Sequence, residues 1–123
     1  MPRILVIDDD TALRQFIRDV LEDSGYSVEE QTDGALGLKA YQRQPADLVL
    51  TDIVMPNKEG LETIQGFRRL FPDVKIIAMS GGLSSSHFDP LPLALQFGAK
   101  RTLKKPFLMN DLLDAILKTL NGQ

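Results

Sequence analysis

Three short runs of apolar residues and two more polar runs alternate with segments in which apolar residues recur every three or four positions. Short continuous apolar runs are typical of strands buried on both faces, whereas the longer period is typical of amphipathic helices. We therefore predict strands at 3–8, 26–31, 47–51, 74–79 and 100–104. Helical spacing after each strand predicts five helices, of which the fourth is a short one near 90–97.

Residues suited to helix ends lie at the borders of the helical segments. Asp10 or Thr11 can cap the first helix, and Gly25 can end it. Asp33 can cap the second helix, which has to end before Pro45. The alternation of strand and helix predicts an α/β fold, a doubly wound parallel sheet flanked by five helices. We expect residues 1–123 to form one domain, with no output domain.

Composition narrows the function classes. A chain of 123 residues suits a single core, and a net charge of −3 argues against direct nucleic-acid binding. The absence of Cys excludes disulfides and thiolate chemistry. No segment approaches the length of a membrane span, and the first apolar run is too short for a signal peptide. We expect a cytoplasmic protein with no membrane partner.

Acidic residues follow two of the predicted strands. Asp8, Asp9 and Asp10 come directly after the first strand, and Asp52 follows the third. Neighbouring carboxylates repel each other, so such a cluster costs stability unless a cation binds there. A hard divalent cation with oxygen ligands, such as Mg²⁺, is the natural partner.

Two further polar residues close the remaining strands. Ser80 follows the fourth strand and Lys105 follows the fifth. Ligands of open parallel sheets bind outside the carboxyl ends of the strands. We therefore expect the acids, this hydroxyl and this amine to meet at one edge of the sheet.

Four segments close strands one, three, four and five in turn: Ile4-Leu5-Val6-Ile7-Asp8-Asp9-Asp10, Leu48-Val49-Leu50-Thr51-Asp52-Ile53-Val54-Met55-Pro56, Ile76-Ile77-Ala78-Met79-Ser80-Gly81 and Leu103-Lys104-Lys105-Pro106-Phe107. In this order they resemble the receiver domain of two-component response regulators, and the resemblance spans residues 3 to 120. The resemblance implies the strand order 2-1-3-4-5. It also implies a cis peptide bond between Lys105 and Pro106.

The resemblance assigns a role to each strand-end residue. Asp52 is implied as the phosphoacceptor, forming an aspartyl phosphate. Asp9, Asp52 and the backbone carbonyl of Val54 are implied as direct Mg²⁺ ligands, with Asp8 acting through a metal-bound water. Ser80 would donate a hydrogen bond to a phosphoryl oxygen, and Lys105 would supply a positive charge.

The same resemblance implies a signalling role. The chain would accept a phosphoryl group from a sensor histidine kinase or a histidine phosphotransfer protein, catalyse that transfer itself, and then bind a partner or relay the phosphate. The positions that influence the hydrolytic water in the family are Val54 and Gly82 here, and neither side chain can form a hydrogen bond to it. We expect slow self-dephosphorylation.

The chain departs from the family in strand five, where Thr102 occupies the position of the usual aromatic switch residue. The short helix is apolar on more than one face, so we expect part of it to stay exposed. Our hypothesis is that phosphorylation changes how this helix, strand five and Phe88 of the preceding loop are presented to a downstream protein.

Two alternatives belong to other classes. Asp8-Asp9-Asp10-Thr11 is similar to the Asp-x-Asp-x-Thr motif of haloacid-dehalogenase phosphatases, in which Asp8 would be the nucleophile. The usual Gly before Thr is missing, and Asp111 and Asp114 lie in a predicted helix rather than at a strand end. The other alternative is a receiver-like module that binds proteins without being phosphorylated. A flavodoxin is disfavoured, because acids after strand one would repel a flavin phosphate.

Overall fold

Strands and helices alternate along the chain in the computed structural model, which describes residues 1–53, 59–81 and 91–123. The strands are β1 Arg3–Ile7, β2 Ser27–Gln31, β3 Leu48–Asp52, β4 Ile76–Gly81 and β5 Arg101–Lys105. The helices are α1 Thr11–Asp23, α2 Gly34–Arg43, α3 Glu59–Leu70, α4 Leu91–Phe97 and α5 Met109–Leu120. None of the described helices is both long and apolar enough to cross a membrane.

All neighbouring strands pair in parallel, in the order β2-β1-β3-β4-β5. The α/β class and the strand order expected from the sequence are therefore confirmed. The largest difference is in β4, which begins at Ile76 rather than at Val74. Val74 instead donates its N–H to the carbonyl of Phe71 in a turn, so its backbone cannot join the ladder there.

Both faces of the sheet are buried. Side chains alternate along each strand, so Ile4 and Val6 pack against α1 and α5, whereas Leu5 and Ile7 pack against α2, α3 and α4. This two-sided burial explains why β1, β3 and β4 read as continuous apolar runs rather than alternating ones.

The helix ends follow the predicted capping residues. Leu13 donates its N–H to Asp10 Oδ1 at 3.1 Å, and Leu36 donates its N–H to Asp33 Oδ1 at 2.9 Å. Gly25 has φ +94°, a conformation that side chains disfavour and that suits the end of α1. The cap at Asp10 matters for the site, because it places the start of α1 directly after the acids of β1.

Candidate functional site

Asp8, Asp52 and Lys105 project from one face of the sheet at its carboxyl edge. Each lies two positions after a strand residue that belongs to the core beneath α1 and α5, namely Val6, Leu50 and Leu103. Because side chains alternate along a strand, each polar side chain continues its apolar row at the point where the row leaves the core. Three strands with this parity therefore deliver two acids and an amine to the same place.

Three carboxylates form a compact cluster there. One carboxylate oxygen from each of Asp8, Asp9 and Asp52 lies within 4.8 Å of the others. Asp8 is fully buried and Asp52 is 3% exposed, whereas Asp9 lies exposed at the mouth. Oxygen donors with this spacing and one open side fit a hard cation such as Mg²⁺.

Lys105 forms ion pairs with the two buried members of the cluster. Its Nζ lies 3.0 Å from Asp8 Oδ2 and 3.2 Å from Asp52 Oδ2. Burial by itself would lower the pKa of Lys105, but the hydrogen bond that its ammonium donates to Asp8 and the charges of both carboxylates outweigh burial, so the pKa is raised. The ammonium therefore stays charged. The peptide bond between Lys105 and Pro106 is cis, as the resemblance implied.

The backbone of the β1–α1 turn holds the other oxygen of Asp8. Asp10 donates its N–H to Asp8 Oδ1 at 2.8 Å. Both oxygens of the Asp8 carboxylate are thus engaged within a fully buried group. Such a carboxylate is poorly placed to attack a substrate, which argues against Asp8 as the nucleophile of a phosphatase.

Ser80 lies at the same edge of the sheet, but its observed hydrogen bond is not with the carboxylates or with Lys105. It is 3% exposed and lies one residue beyond Met79, the ladder partner of Asp52. Its Oγ donates to the carbonyl of Gly81 at 3.4 Å, the end of the range for a hydrogen bond. Its role toward a phosphoryl group stays a prediction, and Val54, the predicted carbonyl ligand, lies outside the described residues together with Gly82 and Phe88.

One contact was not anticipated from the sequence. Arg14 on α1 donates from Nη1 to the backbone carbonyl of Asp8 at 2.7 Å, and its Nε donates to Glu30 Oε1 of β2 at 3.1 Å. The available signal was the half-polar composition of β2, in which charged residues occupy positions partly covered by neighbouring elements. A partly buried Glu requires a cationic partner, and α1 supplies it.

The apolar set of α4 is partly buried, as expected. Ala94 is buried and Phe97 packs against the core beneath α2, α3 and α4, but Leu95 is 49% exposed.

A separate open groove of about 350 Å³ lies between β5 and α5, and Thr102 is one of the residues that line it. The side chain of Thr102 is small, whereas an aromatic side chain at this position would fill part of the groove.

Known proteins match the chain over nearly its whole length. The family model of the response regulator receiver domain matches residues 4–117. The chemotaxis protein CheY of Bacillus subtilis is 36% identical over 121 residues, which are 97% of this chain and 98% of that protein. The response regulator receiver protein CpdR of Brucella abortus is 37% identical, with 98% of each chain covered.

A solved structure agrees with these relatives. The CheY-like response regulator receiver domain protein of Methanospirillum hungatei superposes with a TM-score of 0.89 at 33% identity, covering 99% of this chain and 95% of that one. Fold and sequence therefore point to the same family.

Proposed function

Because the chain belongs to the response regulator receiver family, we propose that Asp52 accepts a phosphoryl group in a Mg²⁺-dependent reaction and that this modification is its signal. The observation that carries the proposal is the position of Asp52 at the end of β3. It shares a charge-neutralising contact with Lys105 and a carboxylate cluster with Asp8 and Asp9.

The covalent step of this reaction needs a carboxylate nucleophile, which Asp52 would supply. A carboxylate oxygen of Asp52 forms a bond to phosphorus while the bond from phosphorus to the donor nitrogen of a phosphohistidine breaks, and the leaving imidazole keeps that electron pair and takes up a proton. The product is an acyl phosphate. Catalysis of this kind is mostly positioning and electrostatic stabilisation. Lys105 contributes both, because it orients the Asp52 carboxylate and carries a positive charge beside it.

Asp8, Asp9 and Asp52 are the residues that would hold Mg²⁺, together with the carbonyl of Val54 expected from the sequence. When bound there, the cation offsets the negative charge of the incoming phosphoryl group. Ser80, buried at the end of β4, is proposed to donate a hydrogen bond to a phosphoryl oxygen.

Receiver domains interact with histidine kinases or histidine phosphotransfer proteins, and we propose one of these as the donor. For the downstream protein, we propose the surface formed by α4 and β5. Two separate observations support this choice: the side chain of Leu95 on α4 is exposed, and β5 contributes Thr102 to the lining of an open groove. A cytoplasmic location remains a prediction from the sequence.

The test is incubation with a small phosphodonor, such as acetyl phosphate, with and without Mg²⁺, followed by intact-mass measurement. The wild type should gain one phosphoryl group only with Mg²⁺, and Asp52→Asn should gain none. Asp10→Asn is the matched control, because an Asn side chain can still cap α1 through its carbonyl oxygen. Labelling that persists in Asp52→Asn and disappears in Asp8→Asn would instead support the phosphatase mechanism.

A further inference from the structure

We propose that Arg14 is a positioning residue for the carboxylate cluster, acting through the peptide group that joins Asp8 to Asp9. The inference rests on the metal site of the proposed function and names a group outside the cluster that holds it in place.

Asp8 is held at each of its polar groups. Its backbone N–H donates to the carbonyl of Gln31 at 3.1 Å, and its two carboxylate oxygens accept from Asp10 N–H and from Lys105 Nζ. The remaining group is the backbone carbonyl, and Arg14 Nη1 donates to it at 2.7 Å. That carbonyl belongs to the peptide plane that leads to Asp9.

Asp9 depends on that plane for its position. Within the described ranges, no hydrogen bond or ion pair is formed by the Asp9 side chain, and the residue is exposed. One of its carboxylate oxygens nevertheless lies within 4.8 Å of a carboxylate oxygen of Asp8 and of one of Asp52. The direction of the Asp9 side chain is therefore set by the backbone before it, and the contact from Arg14 fixes that backbone.

Arg14 is itself anchored. Its Nε donates to Glu30 Oε1 at 3.1 Å, and the side chain is only 13% exposed. A guanidinium has donors in a rigid planar fork, so it can hold a carbonyl and a carboxylate at the same time in one geometry. The fork thereby ties the turn after β1 to the neighbouring strand β2.

Arg18, one helical turn later, provides a matched control. Its Nε lies 2.9 Å from Glu30 Oε2, so it shares the acidic partner of Arg14. Its Nη2, however, donates to the carbonyl of Val28 at 2.9 Å rather than to that of Asp8. The two arginines share a helix, a charge and a partner, and they differ in the carbonyl that they hold.

The sign of the effect separates positioning from plain electrostatics. Removing a positive charge near the carboxylates should, by Coulomb interaction alone, tighten Mg²⁺ binding. Loss of a positioning contact should weaken it, since substitution of groups that orient metal ligands typically lowers affinity about 10- to 100-fold. The two explanations therefore predict opposite changes for Arg14→Ala.

The experiment is a Mg²⁺ titration by calorimetry of wild type, Arg14→Ala and Arg18→Ala, with urea unfolding of each protein as a measure of stability. We expect the Mg²⁺ dissociation constant to rise about tenfold in Arg14→Ala and to stay at the wild-type value or below it in Arg18→Ala. Both variants should lose stability. Unchanged or tighter binding in Arg14→Ala, or an equal loss in both variants, would overturn the inference.

Arg14→Lys keeps the proposal testable if the alanine variant fails to fold. A lysine keeps the charge but cannot hold both oxygens in a fixed fork, so we expect weakened Mg²⁺ binding in a folded protein. Wild-type affinity in Arg14→Lys would count against positioning by the fork.

A wild type that binds no Mg²⁺ would overturn both proposals, whereas one that binds Mg²⁺ without accepting a phosphoryl group would overturn only the proposed function.

Discussion

The ammonium of Lys105 lies 3.0 Å from the fully buried carboxylate of Asp8 and places a positive charge beside it. Replacing it by a neutral side chain removes this ion pair from Asp8, and breaking a buried pair typically costs about 3–5 kcal/mol. We therefore expect Lys105→Met to lower the free energy of unfolding by about 3 kcal/mol without metal. Added Mg²⁺ should raise the melting temperature more in this variant than in the wild type, because the cation replaces the lost charge.

Lys104→Met is the control for that experiment, since Lys104 is the exposed neighbour on β5. It should change neither the unfolding free energy nor the response to Mg²⁺ appreciably. A Lys105→Met protein as stable as Lys104→Met would show that Lys105 does not compensate the acids.

Removal of Asp9 should separate metal binding from stability. Asp9→Ala takes away one of the proposed oxygen ligands, so Mg²⁺ binding should weaken strongly. The same change relieves repulsion within the cluster, and the metal-free protein should be as stable as the wild type or more so. Calorimetric titration and thermal unfolding without metal measure the two effects, and unchanged Mg²⁺ affinity would remove Asp9 from the site.

The lifetime of the phosphorylated form tests the prediction made for Val54, which lies outside the described residues. We expect slow self-dephosphorylation in the wild type and faster decay in Val54→Asn, because an amide side chain can form a hydrogen bond to the hydrolytic water. Time-resolved intact mass after removal of the phosphodonor measures the decay. Equal decay rates for the two proteins would contradict the expectation.

Close packing at Gly60 should make the start of α3 intolerant of side chains. A Cβ at Gly60 would lie 2.2 Å from the backbone Cα of Ile53, the residue after Asp52. Backbone cannot move aside as a flexible side chain can, so Gly60→Ala should destabilise the protein by about 1–3 kcal/mol. Urea unfolding measures this loss.

Gly66 is the matched control in the same helix. Among the described residues, a Cβ there would meet Leu38 Cδ1 alone, at 3.3 Å, and this flexible side chain can shift slightly. Because Ala favours a helix over Gly by about 1 kcal/mol, Gly66→Ala should be close to neutral or stabilising. If both variants lose the same free energy, the contact with Ile53 is not the cause.

The burial of Tyr41 should make the free energy of unfolding depend on pH in the alkaline range. Burial, followed by the charges of Asp47 and Asp73, raises the pKa of Tyr41 above 10.0. Below this pH the hydroxyl is protonated in both the folded and the unfolded chain, so it does not alter the free energy of unfolding. As pH rises further, the unfolded chain releases its proton first, and the free energy of unfolding falls.

Tyr41→Phe should lack that part of the alkaline loss of stability, as measured by urea unfolding across the pH range. The chain has two tyrosines and no tryptophan, so tyrosinate absorbance in Tyr26→Phe reports Tyr41 alone. A Tyr41 titration at its ordinary pKa would contradict the effect of burial.

Local sequence determined the order of the elements and placed each strand end to within two residues. A continuous apolar run such as Ile4 to Ile7 indicates a strand buried on both faces, and a cap such as Asp33 indicates where a helix begins, because both depend on residues close together in the chain. With the rule that ligands bind beyond strand ends, this was enough to select Asp8, Asp52 and Lys105 as candidate site residues.

Tertiary structure decided which of these residues touch. Asp8 and Lys105 are 97 positions apart, and their contact depends on the register of every strand between them. The contacts of Arg14 also came only from the fold, since α1 has to pack beside β2 before the Arg14 guanidinium can meet both Glu30 and the carbonyl of Asp8. Phe16, which shares the apolar period of α1, is 41% exposed. Periodicity reports which face a helix can bury, but the extent of burial and the contacts across the sheet arise from long-range packing that no local pattern contains.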